Sequence, residues 1–499
     1  MALTSRYAVL TGFVLSLVVS IVLHWQIFPQ DIQGRHNWRQ SQTMWNIRNF
    51  VHYDNDILNP RVSHFNGSNN NLLRLEFPLM QWGIAQVVRH TGHEVLVTRI
   101  CVWATSVTGL VAFGLLLVTM GFSPGLALVG TTLLQFSPLF YFYSINVLPD
   151  VLALAAGIWY LYFLFAYFRD RRWWQVVAAT LALGIATLAK LPFAMFGIVG
   201  LLYVLTRLFR RGGINGRLFF FAGAHLLFLL PAYKWYAWVM PRWRNSPTLY
   251  GIFGNTNTPE QNQAIIDYYW QQYFPFDLLS PAVWLLLLVG TLLPVRRRAD
   301  FPYAGYVWAL AAVTLAFAVL QGNTITMVHD YYLLPLLPWM YIVVAAGAER
   351  IWRWTATNAW KPLGIVLIAG ALLAAPGWAY WLRQPLWAQS ASAYYPVMRD
   401  VFNHQKVLRE AVDDDAKVIV LNDVSYQIFT WLIRKRGYVF HGNAVRPAWI
   451  DDLHEKHGVD YLYSNSRRFD QDSTIRTRLD SLILEAGDIH VYRIADREP

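Results

Sequence analysis

The sequence predicts an α-helical polytopic membrane protein with a small α/β domain at its C-terminal end. Of the 499 residues, 56% are hydrophobic and only 14% are charged, whereas about a quarter of the residues of a soluble globular protein are charged. The apolar residues lie in long blocks rather than on periodic faces, and the composition becomes ordinary and charged only beyond about residue 385. These observations exclude a water-soluble enzyme.

The cysteine content and the net charge exclude further classes of protein. Cys101 is the single cysteine and lies in an apolar run, which rules out a disulfide framework and a cysteine-rich metal site. The net charge of +11 is compatible with nucleic-acid binding, but in a membrane protein an excess of Lys and Arg marks the cytoplasmic loops. We therefore expect membrane lipids and no nucleic acid as partners.

About eleven apolar segments are long enough to cross a bilayer as helices, which takes about 20 residues each. They are residues 8–29, 95–118, 124–147, 151–168, 175–189, 192–208, 218–239, 276–295, 303–320, 332–348 and 362–382. The first segment follows a single Arg and has no small-residue cleavage site, so it is predicted to be a retained signal anchor.

The basic residues of the short loops predict the orientation. With the N-terminus inside, four basic clusters fall on the cytoplasmic side, and the opposite short loop at 321–330 has neither Lys nor Arg. The clusters are Arg169, Arg171 and Arg172; Arg207, Arg210, Arg211 and Arg217; Arg296, Arg297 and Arg298; and Arg350, Arg353 and Lys361. The longer stretches 30–94, 240–275 and 385–499 are then predicted to lie outside the cytoplasm.

The tail predicts a small α/β unit. An apolar, β-branched run at Lys417–Leu421, a helical stretch near 425–435 and the run Tyr438–His441 alternate in the way of strand, helix and strand. The stretches 459–463 and 489–493 are predicted to be further strands. We expect a transmembrane domain at 1–384, which includes the first outer loop 30–94, and an extracytoplasmic α/β domain at 385–499.

Polar residues at the predicted outer boundary are the candidates for chemistry, because ionisable groups in or beside spanning helices are costly to keep there. Each has an ordinary structural explanation as a helix cap, an interfacial anchor or a surface ion pair. Those explanations do not account for the presence of both acidic and basic residues at the same predicted outer face of the membrane. The candidates are Asp31, His36, Asn37, Trp38, Arg39, Gln40, Glu76, Asp150, Lys190, His329, Asp330, Tyr331 and Tyr332.

In their order and topology these motifs resemble the GT-C superfamily, in particular the branch of the protein mannosyltransferases and lipid A aminoarabinose transferases. The resemblance covers about residues 8–382. Its form of the first outer loop, His-x-Trp-Arg-Gln, is similar to a bacterial subgroup often assigned to cell-surface polysaccharide or lipopolysaccharide glycosylation. The motifs are the first outer loop, Glu76-Phe77-Pro78, Leu148-Pro149-Asp150, Leu188-Ala189-Lys190-Leu191-Pro192 and the segment 331–338.

The resemblance implies an integral membrane glycosyltransferase of a bacterial inner membrane. It would move a sugar from polyprenyl phosphate, here undecaprenyl phosphate, onto a cell-envelope glycan, lipid or protein acceptor. The site would lie on the periplasmic side under juxtamembrane helices of the first outer loop, one of them an interfacial helix at 77–90. Inverting transfer needs a base for the acceptor hydroxyl and cations for the leaving phosphate. Because no metal-ligand spacing is recognisable, we expect neither a metal nor another cofactor.

The resemblance also implies roles for individual residues. Lys190 and Asp150 match a family lysine and a family acid, whereas Phe77 stands where the family commonly has lysine. Aligning Arg39 with the family arginine puts His36 on the usual acidic pair, which leaves the base open. The candidates for the base are, in this order, Asp31, His36 and Glu76. Arg39 and Lys190 are predicted to bind the donor phosphate. The residues predicted to bind substrate are Trp38, Gln40, Asp150, His329, Asp330, Tyr331 and Tyr332.

Two other classes of function remain as alternatives. A membrane transporter or lipid flippase usually has structural repeats with helices broken at the midplane of the bilayer, and the sequence shows no internal repeat. A receptor-like or assembly protein with a sensory tail is the third reading. Release of free polyprenyl phosphate from a polyprenyl-phosphate sugar separates them, because only the enzyme produces it.

Overall fold

The computed structural model describes residues 6–67, 69–211, 215–240, 258–292, 303–327, 329–356, 360–441 and 445–496. The predicted basic cluster at 296–298 and most of the predicted outer stretch 240–275 lie outside these residues. The described chain is mostly helical, with one small sheet near its C-terminal end.

The helices are α1 (Arg6–His24), α2 (Asn37–His52), α3 (Leu79–Thr91), α4 (Glu94–Thr119), α5 (Pro124–Gln135), α6 (Pro138–Tyr143), α7 (Asp150–Asp170), α8 (Trp173–Ala189), α9 (Ile198–Arg211), α10 (Gly216–Lys234), α11 (Pro259–Tyr268), α12 (Pro281–Leu292), α13 (Ala304–Leu320), α14 (Gly322–Met327), α15 (Leu337–Ala356), α16 (Lys361–Arg383), α17 (Tyr395–Glu410), α18 (Ile428–Ile433), α19 (Pro447–His457), α20 (Arg467–Asp470) and α21 (Ser473–Arg476). Short 3₁₀ segments are Leu191–Gly197, Asp330–Leu336, Gln384–Trp387 and Gln389–Ala391, and π-helical segments are Trp235–Val239 and Tyr269–Leu278.

The chain divides into two compact units, and each is described by itself. The first unit comprises residues 1–29, 75–80 and 96–384, and the second comprises 30–74, 81–95 and 385–499. The two units divide near residue 384, and the expected domain bounds, 1–384 and 385–499, stay a prediction. Most of the first outer loop, which we expected to belong to the transmembrane domain, groups with the tail instead.

Every apolar segment expected to span the bilayer is mostly helical where the structure describes it. Seven described helices are long and apolar enough to span, and a bent pair at Pro259–Leu278 and Pro281–Thr291, meeting at 105°, makes an eighth if it forms one span. Two further apolar helices, α8 and α13, are shorter. The segment predicted at 124–147 is divided into α5 and α6, because Pro138 cannot continue a helix. The number eleven stays a prediction.

Two glycines allow close helix packing in the first unit. At Gly347 of α15 a Cβ atom would lie 1.8 Å from the carbonyl oxygen of Leu286 in α12, and at Gly290 it would lie 2.2 Å from the carbonyl oxygen of Val343. Small residues let helix backbones approach in this way within a membrane. The contact fixes α15, which continues directly from the 3₁₀ segment at 330–336.

The second unit contains the expected α/β fold. Its five strands are β1 (Lys417–Leu421), β2 (Arg436–Phe440), β3 (Tyr461–Ser464), β4 (Leu479–Ala486) and β5 (Ile489–Ile494). The strand order is β2-β1-β3-β5-β4, with β1 parallel to β2 and β3, and β5 antiparallel to β3 and β4. Four of the strands lie where the sequence predicts them; β4 was not predicted.

The first outer loop forms part of this fold. The amide of Phe65 donates to the carbonyl of Gly437 in β2 (2.9 Å), and the amide of Gly437 donates to the carbonyl of Ser63 (3.1 Å). The Phe65 side chain lies in the same apolar core as Ile419 and Leu462 of the sheet. The helix expected at 77–90 is present as α3.

Candidate functional site

A buried lysine in the first unit is the centre of the candidate site. Lys190 is only 4% exposed, and its Nζ donates to Oε1 of Glu76 at 2.5 Å and lies 3.6 Å from Oδ2 of Asp150. Both carboxylates are buried as well. A cation in such surroundings costs several kcal/mol of desolvation unless anions pair with it, and two distant parts of the chain supply these anions.

Two tyrosines lie beside the same ammonium group. Lys190 Nζ is 5.3 Å from the ring centroid of Tyr331 and 5.0 Å from that of Tyr332, within the range of a cation–π attraction. The Tyr331 hydroxyl shares a hydrogen bond of 2.9 Å with Nδ1 of His329. The structure therefore brings together Glu76, Asp150 and Lys190 with His329, Tyr331 and Tyr332.

A break between two helices places Lys190 here. Helix α8 ends at Ala189, and Lys190 is extended (φ −158°, ψ 113°) before the 3₁₀ segment that contains Pro192. A proline has no amide hydrogen and clashes with the preceding turn, so α8 cannot run through it. The lysine consequently leaves the helix and meets the carboxylates.

The segment that carries Glu76 is held against the end of α8. The Phe77 amide donates to the carbonyl of Leu188 (3.3 Å), and the Tyr236 hydroxyl donates to the same carbonyl (2.9 Å). The Trp235 indole donates to the carbonyl of Leu75 (3.0 Å) and packs edge-on against Phe77, with centroids 4.9 Å apart. Sequence reasoning missed both aromatic residues, because they belong to an apolar run that was interpreted only as a span.

Asp150 is the first residue of α7 and follows Pro149. A carboxylate in the first turn of a helix is stabilised by the helix dipole. The dipole accounts for an acid at this position, and the same carboxylate also lies beside Lys190; its predicted role in substrate binding stays a prediction.

Asp330 has a different environment from the two tyrosines that follow it. It is fully buried, with Oδ2 3.2 Å from Nη1 of Arg383, and its Oδ1 accepts from the hydroxyl of Tyr143. Nη2 of the same arginine lies 2.8 Å from Oδ1 of Asp277. Arg383, Asp277 and Tyr143 were not singled out by sequence, because a contact between residues 50 to 190 positions apart leaves no local pattern.

Asp31, the first choice for the base, lies in the second unit in an ion-pair cluster. Its carboxylate accepts from Arg409 (2.7 Å), from Arg434 (3.0 and 3.1 Å) and from the indole of Trp431 (3.0 Å). Burial alone would raise the pKa of Asp31, but the two guanidinium charges and their hydrogen bonds outweigh it and lower the pKa to about 2. These contacts make Asp31 a weak base that links the first outer loop to the tail.

The His-x-Trp-Arg-Gln run also lies in the second unit, at the start of α2. His36 precedes the helix with a positive φ of 59° and accepts at Nε2 from Nε of Arg35 at 3.3 Å. Arg39 is buried and donates to the side chain of Gln42. The other three residues complete the start of the helix: Asn37 Oδ1 accepts from Ser392 (3.1 Å), Gln40 donates to the carbonyl of Arg35 (3.2 Å), and Trp38 is half-buried.

Within the part of the chain that the structure describes, no group of three or more His, Cys, Asp or Glu side chains has the arrangement of a metal site.

The sequence and the fold are both similar to known proteins. Residues 76–238 match the family model of dolichyl-phosphate-mannose-protein mannosyltransferases, a stretch that includes Glu76, Asp150 and Lys190. No curated protein sequence matches the chain closely enough to be informative.

Three solved structures share the fold. The apo crystal structure of ArnT from Cupriavidus metallidurans is similar with a TM-score of 0.63 and 14% identity, over 97% of both chains. The same protein bound to undecaprenyl phosphate gives a TM-score of 0.59 and 14% identity over 98% of both chains. The apo oligosaccharyltransferase from Archaeoglobus fulgidus gives a TM-score of 0.57 and 14% identity, over 93% of this chain and 70% of the other chain.

These similarities confirm the fold predicted from the motifs. The chain has the fold of the GT-C superfamily of membrane glycosyltransferases and is a multi-pass membrane protein. Within that class, the similarity to ArnT extends over nearly the whole length of both chains.

Proposed function

We propose that this protein is a glycosyltransferase that moves a sugar from a polyprenyl-phosphate donor onto a cell-envelope glycan or lipid at the outer face of the cytoplasmic membrane. The observation that carries the proposal is the buried Lys190, in contact with Glu76 and Asp150 and flanked by Tyr331 and Tyr332. The ArnT structure with undecaprenyl phosphate supports this class of donor.

Lys190 is proposed to hold the donor phosphate as a point charge. An ammonium group in a water-poor site stabilises the charge that develops on the leaving phosphate, and charge-assisted hydrogen bonds are the stronger ones. Asp150, 3.6 Å away, keeps the lysine in place while the phosphate takes up the contact that Glu76 makes in the structure.

Glu76 is proposed as the base. Its carboxylate takes the proton of the acceptor hydroxyl, and the hydroxyl oxygen bonds to the anomeric carbon while the bond to the phosphate oxygen breaks. The electron pair stays on the phosphate, next to Lys190. Donor binding frees Glu76 from its ion pair with the lysine, and losing a neighbouring cation raises the pKa of a carboxyl group and makes it a better proton acceptor.

This order of candidates differs from the order expected from the sequence. Asp31 is paired with Arg409 and Arg434, so we place it behind Glu76 and behind His36, because histidine is a common base at neutral pH. Arg39, with Trp38 and Gln40, stays a prediction for donor and substrate binding, to be tested by an Arg39→Ala variant at limiting donor.

The proposal is tested by incubating the purified full-length protein with a polyprenyl-phosphate sugar and an envelope extract and measuring free polyprenyl phosphate. Lys190→Met should lower the rate about 100-fold, the usual loss when a group that stabilises developing charge is removed. Lys361→Met, which changes an exposed lysine at the start of α16, is the matched control and should keep the wild-type rate. Wild-type turnover by Lys190→Met at limiting donor would overturn the assignment.

Glu76→Gln separates the candidates for the base, because it keeps the shape of the side chain and removes its charge. Loss of a general base typically slows transfer about 10² to 10⁴-fold, and donor binding should persist. If Glu76→Gln stays active while His36→Ala is inactive, the base is His36 and not Glu76.

A further inference from the structure

A charged network is buried near the candidate site in the first unit. Arg383 is the last residue of α16 and is fully buried, with one guanidinium nitrogen 2.8 Å from Asp277 and another 3.2 Å from Asp330. Its guanidinium also lies over the ring of Phe142, 5.5 Å from the centroid. Ionisable residues are rare among apolar helices because of their cost, and those that persist there commonly serve function.

The network holds the backbone directly in front of the two tyrosines. Asp330 begins the 3₁₀ segment Asp330–Leu336, and its two carboxylate oxygens are held from different sides by Arg383 and by Tyr143. The next two residues along the chain are Tyr331 and Tyr332, whose rings flank the ammonium group of Lys190. A shift of Asp330 would therefore move both rings.

The same arginine links this segment to another irregular one. Asp277 lies near the end of the π-helical segment Tyr269–Leu278, in which Tyr273 donates to the carbonyl of Ile325 at 3.3 Å. Both segments depart from α-helical geometry next to a proline, Pro275 or Pro335. Because 3₁₀ and π-helical turns are less favourable than α-helical ones, side-chain contacts help to hold both segments in place.

We propose that Arg383 is a positioning residue of the donor site: through Asp330 it holds Tyr331 and Tyr332 at Lys190. Asp330 then acts through its neighbours rather than by touching the substrate. The inference rests on the proposed function, since it assigns the network to the site at which the donor phosphate binds.

A purely structural role would give a different result from a positioning role. If Arg383 only stabilised the fold, its loss would lower the yield of folded protein and leave the donor KM of the folded fraction unchanged. If it positions the tyrosines, the donor KM rises in protein that is still folded. The effect should also overlap with the effect of removing a tyrosine ring, because residues that act as a unit are not additive.

The experiment is a double-mutant cycle on the full-length enzyme, with release of polyprenyl phosphate as the readout and thermal unfolding as the check on folding. We expect Arg383→Met and Tyr332→Leu each to raise the donor KM about tenfold, and the combined variant to raise it by clearly less than the product of the two effects, because Tyr332 is one of the two rings that Arg383 positions. Arg350→Met is the matched control, because that partly buried arginine donates to the backbone carbonyls of Val289 and Gly290 and should leave the donor KM within about twofold of wild type.

Each result of this cycle either supports or contradicts a positioning role for Arg383. Multiplicative effects of about 100-fold in the combined variant, an unchanged donor KM in Arg383→Met, or an equal rise in Arg350→Met would overturn the inference. Should Arg383→Met not fold, Arg383→Lys keeps the charge, and a folded Arg383→Lys protein with a raised donor KM would support it. Failure of Arg383→Lys to fold would show that the network only maintains the fold. Absence of release by the wild-type enzyme would instead contradict the proposed function.

Discussion

At the scale of single residues, the environment of a carboxylate decides what it can do. Glu76 and Asp31 were both candidates for the base. Glu76 pairs with the ammonium group of Lys190, which a phosphate can take over, whereas Asp31 pairs with Arg409, Arg434 and the indole of Trp431. A carboxylate held by two guanidinium groups accepts a proton poorly. Asp31, which was ranked first because it follows the first helix, is therefore better suited to stabilise the second unit than to act as the base.

Asp31→Asn should destabilise the second unit. The pKa of Asp31 is about 2 in the folded protein, below its ordinary value of 3.8, so its stabilising effect is present above pH about 4 and is lost as the pH falls towards 2. The shift corresponds to about 2 kcal/mol. Thermal unfolding between pH 7 and pH 3 should show a lower midpoint for the variant at neutral pH and a shrinking difference at acidic pH.

Glu455→Gln, a change at an exposed position of α19, is the control for Asp31→Asn and should unfold like the wild type at every pH. If Asp31→Asn unfolds at the wild-type temperature and yet transfers no sugar, Asp31 is the base after all.

At the scale of the elements, the sequence predicted what depends on local pattern. The break at Lys190 follows from Pro192, and the strand at 417–421 follows from its β-branched residues. Strand β4 escaped notice because most of its residues are exposed and its pairing with β5 is interrupted by register shifts, so it lacks a clear alternation of apolar and polar residues. The pairing of Ser63–Phe65 with β2 and the ion pairs of Arg383 join distant parts of the chain, for which a single sequence carries no signal.

Gly347→Ala should weaken the packing of α15 on α12. The added Cβ would lie 1.8 Å from the carbonyl oxygen of Leu286, and overpacking of this kind costs about 1–3 kcal/mol. The matched control is Gly370→Ala in α16, where a Cβ meets nothing within 4 Å. Thermal unfolding in one detergent should place the midpoint of Gly347→Ala below wild type and that of Gly370→Ala at or above it. Equal midpoints would contradict the close contact.

At the scale of the whole molecule, the composition predicted the class of protein, and the ordered motifs predicted the fold. The GT-C fold is confirmed over nearly the full chain, although the sequence is only 14% identical to the ArnT structures. Two predictions from the sequence go further: the basic short loops are on the cytoplasmic side, and the tail is outside. These stay predictions, because the distribution of Lys and Arg, and not the fold, supports them.

Topology reporters test this orientation. A reporter active only outside the cytoplasm should be active when fused at Pro499 and inactive when fused in the loop at 170–172, because an excess of Lys and Arg keeps a short loop inside. Activity of a cytoplasm-only reporter at Pro499 would contradict the predicted topology.

The proposed transfer of a sugar to the cell envelope depends on Lys190. Intact-mass analysis of envelope glycans and lipids tests it most directly in a deletion strain that carries no copy, the wild-type gene or the Lys190→Met variant. We expect an envelope species to lack one sugar in the deletion strain and with Lys190→Met, and to regain it with the wild-type gene. Identical envelope masses in all three strains would contradict the claim.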